Sequence, residues 1–112
     1  MNMDNRLNQL LKFLEQEPND SFLLYALATE YLRIDKLEMA LFYYENLIKN
    51  HKDYLGTYYH LGKLYETVGR KEDAIQTYLT GMQVAKKINN MHTFSELQGA
   101  HLAVAGLNYE DD

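Results

Sequence analysis

The chain superimposes on itself when it is shifted by 34 residues. Leu24 meets Tyr58, Leu27 meets Leu61, Ala28 meets Gly62 and Tyr31 meets Tyr65; further on, Ala40 meets Ala74 and Tyr44 meets Tyr78. A helix pair repeated at this period cannot bury its apolar face alone and has to stack on a neighbour. The period therefore predicts an all-α fold, an α-solenoid of stacked antiparallel helix pairs. Nothing in the chain reads as a strand. With one proline and six glycines in 112 residues, turns are too sparse for an all-β sandwich.

The spacing of apolar residues places about six helices. Leu7, Leu10, Leu11 and Leu14 line one face of a first helix, from about Asp4 to Gln16, which must stop before Pro18. The turn Pro18-Asn19-Asp20-Ser21 offers polar caps for a second helix, Phe22 to about Arg33. Asp35 and Glu38 have the spacing of a capping box for a third helix, running to about Asn50. Asp53 is the expected cap of a fourth helix, Tyr54 to about Val68, which Gly69 ends. A fifth runs from Lys71 to about Lys87. Thr93 and Glu96 suggest a capping box for a sixth, ending near Gly106, and the acidic end from Tyr109 to Asp112 is expected to fray.

The repeat also assigns packing roles. Ala28, Gly62, Ala40, Ala74 and Gly81 are small enough to let helix axes approach, and Tyr31, Tyr44, Tyr58, Tyr65 and Tyr78 fill the gaps between them. A glycine inside a helix costs about 1 kcal/mol relative to alanine, so Gly62 and Gly81 mark tight contacts. Phe94, Leu97 and His101 repeat the large, Leu and Tyr positions of a first helix with a two-residue displacement. The sixth helix thus reads as an incomplete unit covering one end of the stack. The chain divides into a leading helix (1–17), two helix pairs (18–88) and a capping helix with its acidic tail (89–112), all within one domain.

Composition narrows the function. The chain is 46% hydrophobic and 24% charged, the balance of a folded domain. Without cysteine it can hold no disulfide, thiol nucleophile, Cys-type zinc site or iron–sulfur cluster. A net charge of −5 argues against nucleic acid and against anionic membrane as partners. No window approaches the roughly 18 apolar residues of a membrane span, and the first seventeen residues are too polar for a secretory signal. Cytoplasm is the expected compartment, and the sequon at Asn19 carries no meaning there. Catalytic motifs are missing: there is no phosphate-cradling glycine loop, no serine elbow and no paired-histidine helix. His92 and Glu96 stand one turn apart, but two ligands make a poor metal site, so they read as a surface pair. Glu72 and Asp73 suit the start of a helix dipole. No catalytic, cofactor or metal residue is expected.

These units resemble the tetratricopeptide repeats. Tyr58, Leu61-Gly62 and Tyr65, then Gly69 at the turn, Ala74 and Tyr78, reproduce the family's spacing; Leu24, Leu27-Ala28, Tyr31, Ala40 and Tyr44 do so more loosely. Pro18 stands where a preceding unit would close, so the first helix is similar to half a repeat, and Lys52 replaces the next closing proline. The resemblance implies a non-catalytic protein-interaction module whose first helices line a concave face. It would dock a peptide or helix segment of another protein there. On that face the residues left over from packing include Tyr25, Thr29, Arg33, Tyr59, His60 and Lys63, with Phe22 beside them. Tyr25 and Tyr59, again 34 apart, would stand side by side as aromatic anchors, with Arg33 and Lys63 to meet an acidic group. The carboxylate clamp of some tetratricopeptide co-chaperones is not implied: its positions fall on Tyr25, Thr29, His60, His92 and Glu96, none of which matches. A rival reading is a homodimer formed through the end helices, where Leu102, Val104 and Leu107 would be exposed.

Overall fold

In a computed structural model the chain is described from residue 3 to residue 106, and all of its regular structure there is α-helix. The helices are α1 (Met3–Gln16), α2 (Ser21–Arg33), α3 (Leu37–Asn50), α4 (Gly56–Thr67), α5 (Lys71–Lys87) and α6 (Met91–Ala105). They fall into two units that meet in the chain between Tyr54 and Leu55. The all-α reading and the helix count agree with the sequence. Leu107 and the acidic end from Tyr109 lie outside the described residues.

In the first unit, the leucine stripe of α1 buries itself on α2. Leu10, Ala26 and Leu27 form a buried cluster, with Leu7, Leu11, Leu14, Leu23, Tyr31 and Tyr43 packed around it. Ala28 of α2 and Ala40 of α3 are fully buried, which lets these two helices approach closely. Tyr44 is also fully buried, and its hydroxyl lies 3.2 Å from that of Thr29. Tyr31 and Tyr43 stack with ring centroids 5.8 Å apart.

The second unit shows why glycine stands inside two helices. A Cβ on Gly62 would overlap the Tyr78 ring, and one on Gly81 would come within 2.6 Å of Tyr58 Cβ and 2.9 Å of Leu97. Tyr58, Tyr78 and Leu97 are buried there. Burying a tyrosine ring contributes roughly 4 kcal/mol before ordering costs. That outweighs the roughly 1 kcal/mol of helix propensity that each glycine gives up. The Tyr78 hydroxyl donates to Glu66 Oε2 at 2.6 Å, so the ring is anchored at its far end too.

The helix ends depart from the sequence reading at three places. Asp35 is not a cap of α3: it has a left-handed φ of 64°, and α3 begins at Leu37 without a side-chain cap. Instead it closes α2, where Asp35 N–H donates to Leu32 O at 3.0 Å and Lys36 N–H to Tyr31 O at 2.8 Å. The same pair of bonds closes α4 through Gly69 and Arg70, and α5 through Asn89 and Asn90. Gly69 lies 34 residues after Asp35, so the repeat itself marks the position. Asp53 does not cap α4, which begins at Gly56 after Leu55. Thr93 and Glu96 do not form a capping box either. The cap of α6 is Asn90, whose side chain accepts from Thr93 N–H at 3.1 Å. By contrast Asp20 caps α2 as expected, accepting from Leu23 N–H at 3.0 Å.

Three substitutions test these joints and helix ends. Gly62→Ala should lower the unfolding free energy by about 1–3 kcal/mol through overpacking against Tyr78. Gly99→Ala, with nothing within 4 Å of its added Cβ, should raise it by about 0.5–1 kcal/mol. Urea denaturation followed by circular dichroism separates the two signs. Asp35→Gly should stabilise by about 0.5–1 kcal/mol, because glycine adopts a left-handed φ without a Cβ penalty; a thermal scan reads it directly.

Candidate functional site

The six residues singled out for recognition lie three on α2 and three on α4. On α2, Tyr25, Thr29 and Arg33 follow one another at one-turn intervals and share a face. Tyr25 is half-buried. Its ring meets Tyr44 edge-on at 6.1 Å and tilts against Tyr54 at 5.2 Å, and its hydroxyl bonds the Thr29 side chain. Burial, chiefly, raises its pKa above the ordinary phenol value. Tyr25 therefore offers one edge of a packed aromatic group. Phe22, one turn earlier, is the more open ring, 62% exposed.

Arg33 is engaged by its own helix. It donates to both carboxylate oxygens of Glu30, at 3.3 Å from Nε to Oε1. Glu30 is buried, and Arg6 of α1 approaches the same Oε1 at 3.5 Å. The hydrogen bonds from Arg33 come first among the forces that hold the Glu30 carboxyl below the ordinary carboxylate range, against the opposing effect of burial. The i,i+3 spacing of Glu30 and Arg33 was legible in the chain, whereas Arg6 stands 24 positions earlier and only folding brings it there.

On α4, Tyr59 is exposed and Lys63 lies over its ring, 5.7 Å from the centroid. His60 meets Tyr59 edge-on at 5.9 Å. It is half-buried, and burial pushes its pKa below the ordinary imidazole value, which favours the neutral ring. These three residues form one contiguous cluster. On α6, His92 Nε2 lies 3.2 Å from Glu96 Oε2 and both side chains are exposed, as the surface reading has it. No helix among the described residues is long and apolar enough to cross a membrane.

With this geometry the chain can be set beside known proteins. The tetratricopeptide repeat pattern matches residues 10–42 and again residues 55–88. The chain belongs to the tetratricopeptide repeat family. The second match covers α4 and α5, while the first begins inside α1 and ends in α3. The solution NMR structure of a tetratricopeptide repeat domain protein from Salinibacter ruber is 46% identical. It superimposes with a TM-score of 0.76 over 85% of this chain and 96% of that one. A crystal structure of the tetratricopeptide repeat domain protein from Salinibacter ruber gives 48% identity and a TM-score of 0.74, over 80% of this chain and all of that one. A TPR repeat-containing protein of Methanocaldococcus jannaschii is 34% identical over 82 residues, 69% of this chain. The chain spans only 26% of that relative's length. MamA, 22% identical, shares the fold with a TM-score of 0.71 over 94% of this chain and 56% of its own. Tetratricopeptide repeats as a class mediate protein–protein interaction and are typically non-catalytic.

Glu30 sets a pH dependence. A carboxyl depressed in the folded state contributes stability above its unfolded pKa, about 4.3, that is lost as pH falls through the folded value. Urea midpoints of the wild type should fall on acidification below about pH 5. Glu30→Gln should start lower at neutral pH and fall less steeply over the same range. A parallel fall in both proteins would remove Glu30 from the account.

Proposed function

We propose that the chain is a non-catalytic interaction module working in the cytoplasm, and that it binds a segment of another protein through exposed residues of a first helix, above all those of α4. The observation that carries this reading is the α4 cluster. Tyr59 and Lys63 are exposed, already arranged as a ring with a cation over it, and the core uses neither. An aromatic ring with few rotatable bonds loses little entropy on binding, and a lysine beside it supplies an acidic preference. Tyr25, Thr29 and Arg33 share one face of α2, with Phe22 as its open apolar group. No nucleic acid, membrane or cofactor enters this reading.

The end-helix alternative has its own observation: Met91 is 51% exposed and Leu102 37% exposed on α6. One experiment weighs the two. A tagged wild type, a Tyr59→Ala/Lys63→Ala variant and a Met91→Ser/Leu102→Ser variant are compared for capture of one identified partner, after circular dichroism shows equal helicity. Loss of an aromatic anchor should weaken capture about 10-fold or more, the effect of at least about 1.4 kcal/mol. The α6 variant should bind as the wild type does. Loss of binding only in the α6 variant, with a dilution-dependent mass in sedimentation, would establish the dimer instead.

A further inference from the structure

A groove of about 210 Å³ opens on the first unit, lined by Arg6 of α1 and by Phe22, Tyr25, Ala26, Thr29 and Glu30 of α2. Its volume is below the roughly 300–1,000 Å³ of small-molecule sites and suits a single large side chain. One part of the wall is apolar: Ala26 is buried, Tyr25 is half-buried, and Phe22 stands open at the rim. The other part is charged in an unequal way. Both oxygens of Glu30 are taken by Arg33, and the Glu30 side chain is only 5% exposed. Arg6 approaches one of those oxygens at 3.5 Å from its Nε, and its side chain is 60% exposed.

Two guanidinium groups around one carboxylate leave one positive charge in surplus, in a chain whose net charge is −5. A guanidinium carries five donors in a planar fork that matches a carboxylate. Glu30 uses little of that capacity in Arg6, and its buried charge limits the side chain's freedom beside the groove. Charge complementarity thus selects an acidic group, and the apolar wall selects a large hydrophobic side chain next to it.

We propose that this groove is a subsite for a polypeptide segment of a partner protein in which an apolar residue neighbours an acidic one. The apolar side chain seats on Phe22, Tyr25 and Ala26, and the carboxylate pairs with Arg6. Glu30 acts as a positioning residue that holds Arg6 and Arg33 in place. The proposal rests on the protein-binding reading above and extends it to α1 and α2 of the first unit.

The test is a titration of the ¹⁵N-labelled full chain with acetyl-Gly-Leu-Asp-Gly-amide and with the same peptide carrying Asn for Asp, each to about 10 mM, a range that captures millimolar affinity. Saturable amide shifts are expected over residues 22–30 and at Arg6 with the acidic peptide. Affinity should drop about 10-fold with the Asn peptide and with Arg6→Gln, the loss of one charge-assisted pair. Arg6→Lys should recover part of it, and Phe22→Ala should weaken both peptides alike. Both Arg6 and Phe22 are exposed, so these variants keep the fold, which circular dichroism checks. Shifts indifferent to Arg6→Gln or to the Asp-to-Asn change would overturn the proposal. So would shifts confined to α4, or none at all. In those cases partner capture that depends on Tyr59 still decides the broader reading separately.

Discussion

The contact between the Tyr78 ring and the bare backbone of Gly62 sets the geometry of the second unit. The ring occupies the space a Cβ would take, so α4 and α5 are held at a separation that only glycine permits. Gly81 does the same for Tyr58 and Leu97, which ties α6 to the pair. The first unit solves the problem with alanine, at Ala28 and Ala40, and with a buried Tyr44 that bonds Thr29. A large ring against a small residue is thus the recurring joint. Its strength comes from removing aromatic surface from water, and its specificity from the volume available.

This joint also determines which side chains are free to meet a partner. A tyrosine turned toward the joint, such as Tyr58, is buried, whereas its neighbour Tyr59 on the next helical position is exposed. One step of about 100° around the helix separates a core residue from a recognition residue. Neighbouring elements can then change the outcome. Tyr25 occupies the position of Tyr59 in the preceding repeat, yet Tyr44 and Tyr54 pack against it and leave it half-buried. The repeats therefore share a frame while presenting different surfaces.

Charge follows a similar division between local and tertiary causes. Arg33 and Glu30 pair within α2 because they lie three residues apart. Burial of that carboxylate and the approach of Arg6 require α1 to pack where it does. An exposed i,i+3 pair would contribute little to stability. Here the carboxylate is screened from water, and its protonation state becomes coupled to folding.

Much of the fold was legible in the chain, because the 34-residue period and the leucine spacing are properties of local geometry. The six helices, the small positions and the tyrosines of the core follow from side-chain size and helical repeat alone. The helix starts were less legible. Asp35 with Glu38, and Thr93 with Glu96, have the spacing of a capping box, but that spacing does not reveal which helix end the first residue serves. The closing bonds of α2 and α5 decide it, since each needs a left-handed residue between two helices. For the candidate site, the repeat left Tyr59 and Lys63 out of the core of α4, and both are exposed. The i,i+3 pairing of Arg33 with Glu30 is local as well, whereas the partial cover on Tyr25, the burial of Glu30 and the approach of Arg6 beside a groove came with the packing of the helices, because they depend on residues far apart in the chain.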